Sequence, residues 1–281
     1  MFNIKRKEIG KFLFFGMLLV CSLISKEACA NPVNDYIYHC GFCPANEEVR
    51  QCVISSKLDQ FRYPQDFSYD GGRPSMVIIH ETANPRSTIE NEITFMTRNQ
   101  KNAFVHSFTD ANRVITVANP NYKAWGCGAN GNRYGIQIEN IEVHSKDDFA
   151  KELANCAGYT AKYLLKYGLG SPKLITSKTR PFGGGNLASH SMISRIMGGT
   201  THSDPDGYWA DRAGRFFGTG YNMNDFRDLV QYFYDRGNLF SIPPHQRFMR
   251  AKRPTSKRDV NGRITEANIP TTYQKEFVDK F

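Results

Sequence analysis

The sequence lacks several features that would place it in a simple class. No segment repeats at a period of roughly 20 to 50 residues, which excludes a solenoid. The apolar run from Phe12 to Ile24 is shorter than the about 20 residues that a membrane-spanning helix needs. Cys40 and Cys43 form a Cys-x-x-Cys pair, but no second pair is present to complete a structural zinc site. What remains is the composition of an ordinary globular protein, with 40% hydrophobic and 22% charged residues.

The chain carries an excess of positive charge, formally +9 over 281 residues. Such a balance indicates an anionic partner, and by itself it leaves nucleic acid, a membrane surface and a cell-wall polymer open. The length accommodates one large domain or one domain with extensions.

The first thirty residues have the pattern of a secretory signal peptide, with a basic start, a short apolar run and a small-residue cleavage site at Ala28-Cys29-Ala30. We therefore expect an exported mature chain that begins at Asn31 and works in the periplasm or at the cell wall. It would have no stable membrane span. An uncleaved membrane anchor is the alternative interpretation of the same residues.

Five cysteines follow the predicted signal peptide, namely Cys40, Cys43, Cys52, Cys127 and Cys156. Some cysteines of an exported protein are expected to pair, and the cluster formed by the first three predicts one disulfide. Cys156 lies in a helical pattern, which is typical of a buried small hydrophobic residue. The odd number leaves at least one free thiol.

Patterning divides the chain into a signal peptide at 1–30, an irregular extension with the cysteine cluster at 31–70, a mixed α/β domain at 71–237 and a basic tail at 238–281. The tail has no core pattern and is predicted to be flexible or surface-attached. Within the domain, strands are predicted at 75–80, 104–109, 113–118 and 134–143, and helices at 88–100, 148–167, near 190 and at 222–236. We expect a mixed central β-sheet flanked by helices. The core-facing residues predicted for the helix at 88–100 are Ile89, Ile93, Phe95 and Met96.

Histidines and an aspartate in this domain suggest a metal site. His80 ends a buried strand, and strand ends are where α/β folds place ligands. His190 and His202 flank a flexible Gly-Gly pair. Asp204 follows His202 by two residues, so in an extended segment the side chains of His202 and Asp204 point the same way. Two or three such ligands with an open position are the composition of a catalytic zinc site. The alternatives are a structural histidine at the strand end and an Asp-Pro turn, and for Asp206 a turn is the preferred interpretation.

Glu139 is the candidate general base. In the strand predicted at 134–143, Ile136 and Ile138 alternate with polar residues, so Gln137 and Glu139 share the opposite face. That face is either exposed to solvent or lines a cleft beside the metal. The second interpretation is attractive because burying a carboxylate in an apolar strand costs free energy, which a catalytic role would justify.

Four motifs stand in order between about Ser75 and Gly237, namely MVIIHETANP, NAFVHSFTD, YGIQIE and SHSMISRIMGGTTHSDPDGYW. Together and in this order they resemble the zinc-dependent N-acetylmuramoyl-L-alanine amidases of the amidase-2 type, the family of bacterial autolysins, phage lysozyme-like amidases and peptidoglycan recognition proteins. The last motif is most similar to that of autolysin amidases. The resemblance implies the amidase-2 fold.

The resemblance also implies roles for individual residues. His80, His190 and Asp204 match the zinc ligands of the family. Glu139 matches the acidic residue that activates water, and His202 matches a residue that stabilises the transition state instead of binding metal. The residues implied to contact the substrate are His106, Trp125, Thr82 and Asn84.

An enzyme and a binding module are both compatible with this family. The enzyme would use Zn2+ to hydrolyse the amide bond between N-acetylmuramic acid and L-alanine of the peptidoglycan stem peptide. The module would bind peptidoglycan without catalysis. All three ligand positions are filled, which favours the enzyme. We expect peptidoglycan and not nucleic acid as the partner, and a monomer.

Overall fold

The computed structural model describes residues 30–50 and 68–237, together with two short strands, Lys257–Arg258 and Ile264–Glu266, which pair antiparallel. The signal peptide predicted at 1–30 lies outside the described residues except for Ala30. Cys52 and the rest of the predicted tail also lie outside them.

A mixed sheet forms the centre of the described domain, and its strand order is β1-β4-β3-β5-β2-β6. The strands are β1 (Glu47–Val49), β2 (Met76–Glu81), β3 (Ser107–Thr109), β4 (Val114–Thr116), β5 (Gly135–Asn140) and β6 (Leu187–Ser189). The hairpin partners β3 and β4 are antiparallel, and all other neighbours pair in parallel. The inner strands β2 and β5 are almost wholly buried, which explains their continuous apolar runs.

The register of three parallel strands determines where the polar side chains meet. His80 on β2 lies opposite Glu139 on β5. Ile79 lies opposite Ser189, the last residue of β6, so His190 follows directly at the same edge of the sheet. Because the carboxyl ends of parallel strands share one edge, these three side chains are gathered there by strand pairing alone.

Helices pack around the sheet: α1 (Pro32–Cys40), α2 (Ile89–Asn99), α3 (Gly128–Asn132), α4 (Lys146–Lys166), α5 (His190–Met192), α6 (Asp206–Phe217) and α7 (Met223–Asp235). A π-helical turn, Ile193–Met197, continues α5. The side-chain oxygens of Thr88, Ser145 and Asn222 accept backbone N–H bonds at the starts of α2, α4 and α7, which explains where these helices begin. Within the described ranges, no helix has both the length and the apolar character needed to cross a membrane.

The prediction of a mixed central sheet flanked by helices is confirmed. Two details of the sequence analysis are wrong. Phe95 was expected in the core, but its side chain is 64% exposed, because it lies on the outer face of α2 between the buried residues Ile93 and Thr97. Asp206 was expected to form a turn, but it is the first residue of α6, where a carboxylate interacts favourably with the helix dipole.

The segment before the predicted domain contributes to its core. Val33 and Ile37 of α1 are fully buried in the main hydrophobic cluster, and β1 extends the sheet beside β4. The carboxylate of Glu47 accepts hydrogen bonds from Lys162 and Tyr163 of α4. The prediction of an irregular extension is therefore wrong for the stretches that form α1 and β1, whose apolar residues are too few to produce a clear period.

The cysteines within the described ranges, Cys40, Cys43, Cys127 and Cys156, are all free thiols. The predicted disulfide consequently does not join Cys40 to Cys43. Cys156 is fully buried in the core, as its helical pattern predicted.

Candidate metal centre

Asp204 connects the two histidines at the carboxyl edge of the sheet. Its Oδ2 lies 3.7 Å from Nδ1 of His80, and its Oδ1 lies 3.2 Å from Nδ1 of His190. The backbone N–H of Glu81 donates to Oδ2 over 3.2 Å, and the N–H of Ser191 donates to the Asp204 carbonyl over 2.9 Å. These bonds attach the loop before α6 to β2 and α5. The structure thus brings together the three residues that were predicted as ligands.

The protonation states of His80 and Asp204 suit metal binding. His80 is 2% exposed, and burial, followed by the nearby His190, lowers its pKa to about 3, so its imidazole is neutral. Burial acts to raise the pKa of Asp204, but the interactions of the carboxylate with its neighbours, of which the hydrogen bond from His190 is the largest, together outweigh it, and the pKa is lowered. Neutral imidazole and ionised carboxylate are the ligand forms of these groups.

His202 lies over His190. The two rings are parallel, with 8° between their planes and 4.5 Å between their centroids. The Nδ1 of His202 is 3.5 Å from Oδ1 of Asp204, yet 67% of its side chain is exposed. His202 therefore borders both the ligand cluster and the solvent, a position suited to contacting a substrate.

Glu139 is partly buried beside the cluster. Burial, and then the negative charges of Asp204 and Glu81, raise the pKa of Glu139 well above its ordinary range. A raised pKa makes the carboxylate a stronger proton acceptor, and the same group can return the proton once it holds it, as general acid–base catalysis requires.

A groove of about 290 Å³ opens next to these residues. Trp125, which is 43% exposed, forms part of its wall together with His190, Thr200 and His202. Trp125 therefore lies beside the ligand cluster, and its contact with substrate stays a prediction.

Thr82 and Asn84, also predicted to contact substrate, follow β2 and are not among the residues that line the groove. The Asn84 side chain is exposed and donates to the Glu92 carboxylate over 2.9 Å. The Thr82 hydroxyl is buried.

His106 is not among the residues that line the groove, and its contact with substrate stays a prediction. It is fully buried, its Nε2 lies 2.7 Å from the carbonyl of Tyr122, and its Nδ1 accepts the backbone N–H of Gln137 over 2.9 Å. Both ring nitrogens are thus occupied inside the protein. His106 connects β5 to the loop after β4 and has a structural role.

A family model and a solved structure match the chain that holds this site. The model described as N-acetylmuramoyl-L-alanine amidase (Amidase_2) matches residues 70–207. The crystal structure of the Staphylococcus aureus hydrolase AmiA in complex with its ligand is 32% identical with a TM-score of 0.63, over 75% of this chain and 93% of that one. The chain belongs to the N-acetylmuramoyl-L-alanine amidase family.

Curated relatives in this amidase family are much longer proteins. The bifunctional autolysin of Staphylococcus aureus is 37% identical over 204 residues, which are 72% of this chain and 15% of the autolysin. Protein Ami of Listeria monocytogenes is 36% identical over 202 residues, which are 72% of this chain and 20% of Ami. The chain therefore spans a small part of the length of these relatives.

Two residues near the ligands of this amidase-family chain were not singled out from the sequence. Thr200 contacts the outer nitrogen of His190, with 2.9 Å between Oγ1 and Nε2. Cys127 has its thiol close to both ligand histidines. The motif GGTTH contains Thr200 and could have indicated it, whereas the loop WGCGAN carries no pattern that relates Cys127 to a distant histidine.

Proposed function

We propose that the chain is a zinc-dependent N-acetylmuramoyl-L-alanine amidase, which hydrolyses the amide bond between N-acetylmuramic acid and L-alanine of peptidoglycan. The observation that carries the proposal is the convergence of His80 and His190 on the Asp204 carboxylate at the edge of the sheet. Family membership supports the same substrate class.

The donor set fits a zinc ion. Ligands at about 2.0–2.1 Å from a tetrahedral zinc are separated from each other by about 3.3 Å. The distances of 3.7 Å and 3.2 Å from the Asp204 oxygens to Nδ1 of His80 and His190 are close to that separation. Three nitrogen and oxygen ligands from the protein, with room for solvent or substrate, are typical of catalytic rather than structural zinc.

The ion, when bound, supplies a Lewis acid that activates water and polarises the scissile carbonyl. Glu139 accepts a proton from the attacking water on its carboxylate and delivers it to the departing amine nitrogen. A ring nitrogen of His202 donates to the oxygen that becomes negative in the transition state, a type of contact that contributes about 3 kcal/mol. Trp125 and the groove beside it hold the substrate in position.

Because its substrate lies outside the cytoplasm, we also propose that the enzyme acts in the periplasm or at the cell wall. The predicted signal peptide supports export, and the positive net charge that remains after its removal favours contact with an anionic envelope polymer.

Digestion of purified sacculi tests the function. The protein is stripped with a chelator, reloaded with Zn2+ and incubated with sacculi, and the products are analysed by mass spectrometry. We expect intact glycan strands and peptides that begin with L-alanine, released only after metal is restored. Cleavage within the glycan or the peptide would contradict the proposal, as would binding to sacculi without any release by the zinc-loaded protein.

A further inference from the structure

A second pocket, of about 410 Å³, lies close to the proposed catalytic groove and is rich in positive charge. Three cationic side chains line it, those of Arg133, Lys178 and Arg180, and the ring of Tyr134 lies among them. None of its described lining residues is acidic. We call it the basic pocket.

The positive charge of the basic pocket is only partly neutralised. Arg133 pairs with the Asp70 carboxylate at 2.9 Å. Arg180 donates to neutral acceptors instead, the carbonyl oxygen of Asp70 over 3.0 Å and the hydroxyl of Ser75 over 2.7 Å. In the part of the chain that the structure describes, no carboxylate pairs with Lys178. An anion that enters the pocket therefore meets an excess of positive charge.

Two of the three cations are held in place around the Tyr134 ring. The guanidinium carbons of Arg133 and Arg180 lie 6.0 Å and 5.8 Å from its centroid, within the range of a cation–π contact. The ring packs edge-on against the buried Phe182, with 4.9 Å between centroids. The backbone N–H of Phe182 donates to the Thr179 carbonyl over 2.7 Å, which closes the loop that carries Arg180. Cations ordered in this way lose less entropy when they bind a ligand.

Helix α3 lies between the basic pocket and the groove. Gly128, Ala129 and Asn132 line the groove, whereas Asn130 and Arg133 line the basic pocket. At about 3.6 residues per turn, these two sets fall on different faces of the helix. From Gly128 to Arg133 the chain advances only about 7.5 Å along the helix axis. A polymer that occupies the groove can therefore reach the basic pocket around α3.

Resting on the proposed function, we propose that the basic pocket binds a carboxylate of peptidoglycan, supplied by a stem peptide other than the one that is cleaved. Carboxylates on the stem peptides are anionic groups of this polymer. The two arginines present planar N–H donors that match the geometry of a carboxylate, and Lys178 adds a mobile point charge beside them. The pocket thus holds the polymer at a second point while the groove holds the scissile bond.

Binding of the metal-free protein to sacculi tests the basic pocket without relying on hydrolysis. The sacculi are first freed of phosphate-bearing polymers, and half of them then have their carboxyl groups converted to neutral amides. The parent is compared with Lys178→Glu and with the control Lys173→Glu. Both lysines are exposed, and Lys173 lies five residues earlier in the chain and does not line the pocket. The two variants change the net charge equally, so a nonspecific attraction would weaken equally in both.

We expect Lys178→Glu to bind the untreated sacculi about fivefold more weakly than the parent, and Lys173→Glu to bind them like the parent. On the amidated sacculi, the parent and Lys178→Glu should bind alike. Equal binding of the two variants to untreated sacculi would overturn the proposal. So would a difference between the parent and Lys178→Glu that persists on amidated sacculi, or one that appears only when phosphate-bearing polymers are left in place.

Hydrolysis by the zinc-loaded proteins separates this proposal from the proposed function. Lys178→Glu should raise the apparent KM for sacculi about fivefold, whereas Lys173→Glu should keep the parent's value. Release of peptides by proteins that all bind sacculi equally keeps the amidase and removes the basic pocket as a binding site. A carboxylate-dependent loss of binding in Lys178→Glu, in a protein that releases nothing, supports the pocket and refutes the proposed hydrolysis.

Discussion

Thr200 and His190 are joined by a contact of 2.9 Å between the threonine hydroxyl and Nε2 of the imidazole. The other ring nitrogen, Nδ1, faces the Asp204 carboxylate at 3.2 Å. A histidine whose outer nitrogen is held in this way has a fixed ring orientation and a defined tautomer. The loop after the Gly-Gly turn, which carries Thr200, therefore helps to orient the His190 ring.

Replacing Thr200 with valine should weaken zinc binding by about 10- to 100-fold, since valine keeps the shape of threonine and lacks its hydroxyl. The measurement is competition for Zn2+ with a chelator of known affinity. Thr201→Val, at the exposed neighbouring position, is the matched control and should leave the affinity unchanged. Equal affinities in the two variants would show that the hydroxyl does not support His190.

Glu139→Gln should retain zinc and lose turnover by a factor of about 100 to 10,000, because the amide cannot accept a proton from water. Metal content is measured in the same preparation that is assayed on sacculi. Glu90→Gln, on the exposed side of α2, is the control and should hydrolyse at the parent rate. If the Glu139 variant also retains activity, another group is the base.

Trp125→Ala should raise KM by about tenfold with little change in kcat, because a partly exposed aromatic on the groove wall contributes to binding and not to proton transfer. Phe95→Ala removes a comparable exposed ring on α2, outside the groove, and should alter neither constant. A fall in kcat alone would indicate that Trp125 positions the reacting groups.

Much of the site could be predicted because it is built from strand ends and one compact motif. His80 and Glu139 lie on strands with clear apolar patterns, and the segment from His190 to Asp204 carries most of the remaining chemistry. The register that makes His80 and Glu139 opposite neighbours follows from strand pairing, which no local pattern reveals.

The features that the sequence did not predict are determined by packing between residues far apart in the chain. His106 was predicted near the substrate, yet its ring is enclosed by Tyr122 and Gln137. Cys127 approaches the ligands through tight loop contacts at Gly128 and Gly131, and glycines in a sequence do not reveal what they contact. The helices α1 and α6 were missed for a similar reason, since tertiary burial stabilises them more than their own periodicity predicts.

Glu152 should make the folded domain less stable as the pH rises. It is fully buried on α4 and accepts a hydrogen bond from the Tyr208 hydroxyl over 2.7 Å, and burial raises its pKa well above the ordinary range. A raised folded-state pKa means that the native protein holds the proton more tightly than the unfolded chain. Its stabilising contribution is complete below about pH 4.3 and is lost as the pH rises through the folded-state pKa.

Glu152→Gln should remove this contribution to the pH dependence. The measurement is the free energy of unfolding in urea at pH 5 and at pH 8. The decrease in this free energy between pH 5 and pH 8 should be smaller in the variant than in the parent. Asp228→Asn, at a 60% exposed side chain on α7, serves as the control and should keep the parent's slope. An unchanged slope in Glu152→Gln would mean that Glu152 titrates normally in the folded protein.

Ile37→Ala should destabilise the domain by about 2–5 kcal/mol, because Ile37 on α1 is fully buried in the main core. Val49 on β1 is 60% exposed, so Val49→Ala should change the free energy of unfolding by less than about 0.5 kcal/mol. Unfolding in urea measures both. A small effect at Ile37 would show that α1 contributes little to the folded domain.

The place of β1 at the sheet margin has a practical consequence for anyone who shortens the protein. The family match starts at residue 70, whereas β1 pairs with β4 from Glu47 to Val49. A fragment that begins at residue 70 would leave one edge of β4 without a pairing strand and would lack the core residues Val33 and Ile37. Such a fragment would expose the unpaired N–H and C=O groups of an edge strand and would tend to aggregate, even though it contains all the proposed catalytic residues.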